Sequence, residues 1–141
     1  MANILKKVFG SLTGLLCFMC ACSGNSARVG SNAANSPAYQ NINAEAAYQK
    51  MQKSGGFVLL DVRTDAEFLD RHIEGAILIP DFELDKRAAA ELPDKDAVIL
   101  VYCRSGARSA GAAKVLAGKG YTQVFNFGGI INWPYETVSG R

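Results

Sequence analysis

The sequence predicts an α/β domain with a mostly parallel sheet, and its apolar runs are the first evidence. Four short runs have the length of buried strands, at residues 57–60, 76–79, 97–102 and 124–127. The first of them is almost continuously apolar, which is typical of a parallel strand covered on both faces. Helical patterns alternate with the runs, and strands that alternate with helices form parallel sheets. We expect this domain to occupy residues 41–141.

The second observation is a set of helix start and stop signals between those runs. Asn43 can cap a helix over residues 44–53. Thr64 and Glu67 have the spacing of a capping box, which predicts a short helix at that point. Two later segments are also predicted to be helical, at residues 83–92 and 109–119.

The N-terminus is predicted to be a signal peptide, residues 1–21. Lys6 and Lys7 precede an apolar segment of 14 residues, which is shorter than the ~20 residues that a membrane-spanning helix needs. The segment ends in Ala21-Cys22 and resembles a bacterial lipoprotein box. Cleavage before Cys22 would make this residue the lipidated N-terminus. An uncleaved anchor and an ordinary secretory leader are the alternatives.

The stretch from 22 to 40 is rich in Ser, Asn, Ala and Gly and has no apolar periodicity. We expect a flexible tether with a reach of roughly 25 Å. Together with lipid on Cys22, it predicts a membrane-anchored domain outside the cytoplasm, on the periplasmic or cell-surface side.

The composition narrows the class of function. The chain has 141 residues, is 49% hydrophobic and 20% charged, and carries a formal charge of +2. These values fit one domain with an ordinary core, and the absence of a basic excess argues against nucleic acid as a partner. No metal-binding cluster or cofactor motif is visible in the sequence, so we expect neither a metal nor a cofactor.

Cysteine usage points to one free thiol. The four cysteines are Cys17, Cys20, Cys22 and Cys103. Cleavage before Cys22 would leave a lipidated cysteine and Cys103, so no internal disulfide could form. Any reaction that loads Cys103 would then need an external thiol or another acceptor to unload it.

The loop that begins at Cys103 has the features of an anion cradle. It leaves the strand at 97–102 and opens a helix, a place where backbone N–H groups converge and the helix dipole favours negative charge. Arg104 and Arg108 should lower the pKa of the thiol, and Gly106 permits a tight backbone turn. The alternative is an inert, buried cysteine. Two arginines, which are costly to bury, argue against it.

Three stretches of the chain resemble the rhodanese-like sulfurtransferases. The heptapeptide Cys103-Arg104-Ser105-Gly106-Ala107-Arg108-Ser109 resembles the active-site loop of that family. The other two stretches are Asp61-Val62-Arg63 with Glu67-Phe68 and His72-Ile73-Glu74-Gly75-Ala76, and Phe127-Gly128-Gly129-Ile130 with Trp133. The resemblance implies a three-layer rhodanese-like fold over residues 41–138.

It also implies sulfur transfer by covalent catalysis. Cys103 would take a sulfane sulfur from an anionic donor, thiosulfate or a polysulfide, and pass it from a persulfide to cyanide, a thiol or a protein cysteine. The expected substrate-binding residues are those of the loop, namely Arg104, Ser105, Gly106, Ala107, Arg108 and Ser109. Ser109 could instead cap the following helix.

Two other functions remain open. A phosphatase or arsenate reductase also uses a Cys…Arg loop, but with five intervening residues, whereas four separate Cys103 from Arg108. A shorter loop makes a narrower cradle, better suited to a sulfur atom than to a tetrahedral oxyanion. The second alternative is a lipid-anchored persulfide carrier or partner-docking module with little turnover.

The remaining polar and aromatic candidates are predicted to be structural. A strand-end pair such as Asp61 and Arg63 more often fixes its own loop than binds substrate. His72 is the only histidine, and the proposed reaction needs no base once the thiol is ionised. Trp133 is expected in the core or a pocket wall. Arg71 stands where the family commonly has glycine, which leaves the conformation of that turn open.

Overall fold

The computed structural model describes residues 39–53 and 55–141. The predictions for the signal peptide, for lipidation of Cys22 and for nearly all of the tether lie outside the described residues. Within the described part of the chain, no helix is long and apolar enough to cross a membrane.

The fold is a five-stranded parallel sheet with helices between the strands. The strands are β1 (Gln40–Asn41), β2 (Val58–Asp61), β3 (Ile77–Leu78), β4 (Val98–Cys103) and β5 (Gln123–Gly129). Their order across the sheet is β1-β5-β4-β2-β3, and every pair of neighbours is parallel. The predicted α/β class is therefore confirmed.

The helices are α1 (Ala44–Lys53), α2 (Asp65–Asp70), α3 (Leu84–Glu91) and α4 (Ala107–Gly118). Asn43 begins α1 as predicted, because its Oδ1 accepts a hydrogen bond from the N–H of Ala46 at 2.8 Å. The capping box of α2 is also present, with reciprocal hydrogen bonds between Thr64 and Glu67.

Two apolar clusters on opposite faces of the sheet make the three layers. Alternate residues of β2 and β4 contribute to each cluster, as the two-residue period of a strand requires. One cluster joins the sheet to α3 and α4 through Ala88, Ala113 and Leu116. The other joins it to α1 and the segment after β5 through Ala47 and Ile130. Both faces are therefore covered.

Strand β1 is the one element that the sequence analysis missed. Gln40 and Asn41 pair with Phe125 and Asn126 of β5, so Gln40 belongs to the sheet and not to the predicted tether. The pairing is held by a side-chain bond as well, from Nδ2 of Asn126 to Oδ1 of Asn41 at 2.8 Å.

Candidate active site

Cys103 is the last residue of β4 and lies at the carboxyl edge of the sheet, in the cluster beneath α4. Ligands of open α/β sheets bind at this edge. The residue is 1% exposed, so the thiol lies at the floor of the loop and not on its rim. Arg104, Ser105 and Ala107 of the loop are exposed above it.

The loop turns directly into α4, two residues earlier than the predicted start at Ser109. Gly106 precedes the helix with a φ of 109°, a left-handed conformation that glycine adopts without strain. This turn directs the N–H of Gly106 at Sγ of Cys103, at 3.0 Å.

Hydrogen bonding outweighs burial in setting the pKa of the Cys103 thiol. Burial raises this pKa, but hydrogen bonds from Ser109 and from the backbone N–H groups of Gly106 and Ser105 lower it below its ordinary value. The loop therefore favours a thiolate even though the sulfur is buried, which separates Cys103 from an inert core cysteine.

Ser109 lies inside the first turn of α4 and is fully buried. The alternative that it caps the helix is wrong, because Gly106 occupies the capping position. The Ser109 hydroxyl lies 3.0 Å from the carbonyl oxygen of Gly106 and 3.1 Å from that of Gly128. It thus ties the cysteine loop to the end of β5.

Gly129 makes the close approach of β5 to the loop possible. The register between β4 and β5 shifts just before Cys103, which pairs with Gly129. A Cβ on Gly129 would lie 2.5 Å from Cα of Ser105 and would also collide with the carbonyl of Arg104. The sequence analysis placed Gly129 in a resembling stretch but did not detect this contact, because the signal is a backbone approach across sequence-distant strands.

The side chain of Arg108 forms a salt bridge with a carboxylate. Its guanidinium makes two hydrogen bonds to Glu67 on α2, at 2.7 and 2.8 Å. The hydrogen bond from Arg108 is the main reason that the pKa of Glu67 falls to about 2; burial opposes the shift and Thr64 assists it. Glu67 therefore balances the charge of Arg108, whose predicted role in holding the donor stays a prediction.

The pair formed by Asp61 and Arg63 has the predicted loop-fixing geometry. Asp61 is fully buried and Arg63 is 4% exposed. Nε and Nη2 of Arg63 donate to the carboxylate at 2.6 to 3.0 Å, and the backbone N–H of Arg63 donates to Oδ1 at 2.9 Å. The pair thereby fixes the turn that follows β2.

His72 is bound to backbone in a way that agrees with a structural role. Its Nδ1 lies 2.9 Å from the carbonyl oxygen of Phe68, on whose ring the imidazole stacks. The backbone of His72 also forms a two-bond bridge with Val138. These contacts fasten the C-terminal segment to the end of α2.

The backbone conformation at position 71, just before His72, does not require glycine. Arg71 has a φ of −163°, which is extended backbone that any residue adopts. The turn left open by the sequence is therefore compatible with arginine.

Trp133 packs with other aromatic side chains on the face of the sheet opposite the cluster that contains Cys103. Its ring packs against Phe127 and Tyr135, with ring centroids 5.4 and 5.0 Å away. This agrees with the predicted core or wall position. Among residues 39–53 and 55–141, no group of three or more His, Cys, Asp or Glu side chains is arranged to hold a metal ion.

Sequence and structure comparisons agree on one family. The model of the rhodanese-like domain matches residues 44–134. Thiosulfate sulfurtransferase PspE of Escherichia coli is 38% identical over 81 residues, which cover 57% of this chain and 78% of PspE. A sulfurtransferase of Allochromatium vinosum is 39% identical over 93 residues, covering 65% of this chain and 85% of that protein.

Two solved structures are similar in fold. A structure described as rhodanese with anions from E. coli has a TM-score of 0.57 and 36% identity, and the match covers 60% of this chain and all of that one. The Alr3790 protein from Anabaena has a TM-score of 0.65 and 27% identity, with coverage of 70% and 92%. The matched residues, together with the parallel sheet and the cysteine loop, show that the chain belongs to the rhodanese-like domain family.

Proposed function

We propose that this rhodanese-like sulfurtransferase carries a sulfane sulfur as a persulfide on Cys103. The donor is an anion, thiosulfate or a polysulfide, and the acceptor is a thiol or cyanide. The observation that carries the proposal is the hydrogen bond from Gly106 to the Cys103 sulfur within a loop that lowers the pKa of the thiol.

In the first step, the thiolate of Cys103 attacks the outer sulfur of the donor. A bond forms between Sγ and that sulfur, and the sulfur–sulfur bond of thiosulfate breaks, so sulfite leaves with the electron pair. The N–H groups that favour the thiolate also stabilise negative charge on the new persulfide. Because the loop lowers the pKa of the Cys103 thiol, the step relies less on a general base.

The charges of the loop suit an anionic donor. Arg104 is exposed and directly follows Cys103 in the chain. The pKa of Arg108 is raised mainly by Glu67, against the effect of burial, and the negative charge of a Cys103 thiolate adds a smaller upward effect. An arginine can bind the oxygens of a sulfur oxyanion through two parallel hydrogen bonds.

Intact mass of the purified protein after incubation with thiosulfate tests this proposal. We expect a gain of one sulfur atom per chain, removable by cyanide, and no gain in the Cys103→Ser variant. The matched control is Lys114→Gln, a change at an exposed residue of α4 outside the cysteine loop, which should still load. A wild-type protein that takes up no sulfur, or a Cys103→Ser protein that does, contradicts the proposal.

The same preparation distinguishes an enzyme from a carrier. A sulfurtransferase turns over repeatedly with thiosulfate and cyanide, whereas a persulfide carrier takes one sulfur and then stalls. An aryl phosphate that is not hydrolysed would exclude phosphatase activity, which the four-residue spacing of the loop already disfavours.

We also propose that the domain is anchored at a membrane outside the cytoplasm through lipid on Cys22. Support comes from the sequence: the short apolar segment, the small Ala21 before the cysteine and the Ser-rich stretch that follows. Expression in a bacterial host with a radiolabelled fatty acid tests it. Label is expected on the wild-type chain and on Cys103→Ser, and its persistence on Cys22→Ala would contradict lipidation at this residue.

A further inference from the structure

A cavity of about 450 Å³ lies beside the cysteine loop. Its charged lining consists of Arg63, Glu67, Asp70, Arg71 and Arg104. Arg104, the residue that follows Cys103, is the member of the cysteine loop that lines the cavity. The backbone of Arg104 is held in place by the N–H of Ile131, which donates to its carbonyl oxygen at 3.3 Å.

Pairing leaves this cavity with an excess of positive charge. Both carboxylate oxygens of Glu67 accept hydrogen bonds from Arg108. Asp61 in the same way neutralises Arg63. Within the described chain, Arg71 and Arg104 have no carboxylate within salt-bridge distance. Two positive charges therefore face the one remaining negative charge, that of Asp70.

The position of Arg71 is fixed through its backbone. Its N–H donates to the carbonyl of Glu67 at 3.2 Å, and its own carbonyl accepts from Nη2 of Arg63 at 2.6 Å. The exposed side chain of Arg71 thus starts from a rigid point at the cavity wall.

The volume of the cavity indicates a ligand larger than the sulfur donor. Pockets of about 300 Å³ and more accommodate small organic molecules, whereas thiosulfate is far smaller. In the proposed function the other molecule that must reach Cys103 is the acceptor. A positively charged wall favours an acceptor with a negative charge at some distance from its sulfur, and a carboxylate suits the guanidinium groups.

We propose that this cavity binds a small thiol acceptor that bears a carboxylate, and that Arg71, together with Arg104, holds the carboxylate. The inference rests on the proposed function and adds the chemical class of the acceptor. Arg71 is a specificity-determining residue in this scheme. It selects which thiol approaches the persulfide and takes no part in bond making.

The persulfide anion left by the loading step takes up a proton from water. The acceptor thiolate then attacks the outer sulfur of this protonated persulfide, and a new sulfur–sulfur bond forms on the acceptor. The bond between that sulfur and Sγ of Cys103 breaks, and its electron pair returns to Sγ as the thiolate. The proton stays on the transferred sulfur. No oxidant or reductant other than the acceptor is required.

Discharge of the loaded protein measures this selection apart from the donor reaction. The full chain is loaded with thiosulfate, freed of donor, and mixed with 3-mercaptopropionate or with the uncharged 3-mercapto-1-propanol. The measured quantity is the discharge rate constant with 3-mercaptopropionate divided by that with 3-mercapto-1-propanol. We expect this ratio to be about fivefold lower in Arg71→Gln than in wild type. Comparing ratios between proteins cancels the different intrinsic reactivities of the two thiols.

Three further variants make the test specific. Arg71→Lys, which keeps the charge, should retain most of the preference, and Arg71→Glu should shift it towards the cationic thiol cysteamine. Lys86→Gln removes an exposed positive charge on α3, away from the cavity, and should leave the ratio unchanged.

The outcomes separate the two proposals. A loaded Arg71→Gln protein with the wild-type ratio overturns the carboxylate site and leaves the proposed function standing. A ratio that falls equally in Lys86→Gln also overturns it, because the effect would then reflect net charge alone. A wild-type protein that cannot be loaded at all overturns both.

Discussion

Replacing Gly129 with alanine is expected to reduce the rate of persulfide formation on Cys103 by about a hundredfold or more. The added methyl group has no room, because it would lie 2.5 Å from Cα of Ser105 and against the carbonyl of Arg104. Both neighbours are backbone, so the clash is relieved only by moving the loop. A shift of about 1 Å is enough to misalign the N–H groups around the sulfur.

Gly111→Ala is the matched control for this variant. Gly111 lies within α4, and a Cβ there meets nothing within 4 Å. Alanine in a helix interior is favoured over glycine by about 1 kcal/mol, so this variant should load sulfur at the wild-type rate and melt slightly higher.

Stopped-flow loading with thiosulfate, followed by intact mass, measures the rates, and circular dichroism reports whether each variant is folded. A folded Gly129→Ala protein that loads as fast as wild type would show that the loop tolerates displacement. The anion cradle would then not depend on the close approach of β5.

Local sequence signals predicted most of the fold. The bounds of α1 follow from a single Asn cap and a glycine pair, and the capping box at Thr64 and Glu67 is present as expected. These features depend on residues within one turn of each other, so they can be inferred from the sequence. Strand β1 has only two residues, and its pairing with β5 is a tertiary contact that leaves no period to detect.

The sequence predicted which residues form the cysteine loop, but not the contacts that connect this loop to the rest of the domain. Cys103 and Gly106 have the expected positions, since the loop is continuous in sequence. The bond between Arg108 and Glu67 joins residues that are 41 positions apart, and nothing in the local pattern of either residue indicates it. The same limit explains Gly129, whose role depends on which strand lies beside the loop.

The burial of Cys103 is a further result that the sequence could not supply. The exposed arginines indicated a solvated loop, and Arg104 is indeed exposed. The thiol itself is 1% exposed, because the strand ends one residue later than predicted and carries Cys103 into the cluster beneath α4. Burial alone does not make this thiol inert, because the hydrogen bonds of the loop outweigh the effect of burial on its pKa.

Replacing Asp61 with alanine is expected to destabilise the domain by about 3–5 kcal/mol. Arg63 would stay in its site, 4% exposed, without the carboxylate that neutralises it. Its backbone N–H would also lose the acceptor at 2.9 Å that shapes the turn after β2. For a domain whose total stability is typically about 5–15 kcal/mol, this is a large fraction.

Urea unfolding of Asp61→Ala, of Arg63→Met and of the double variant measures the effect and its origin. An unpaired buried charge costs more than a buried pair replaced by apolar groups, so the double variant should be more stable than Asp61→Ala alone. If the free energy of unfolding of Asp61→Ala lies within about 1 kcal/mol of the wild-type value, the pair does not fix the turn. Other contacts would then have to fix the carboxyl end of β2. Because this turn supplies Arg63 to the cavity beside the cysteine loop, the wall of that cavity would be less rigid than the contacts indicate.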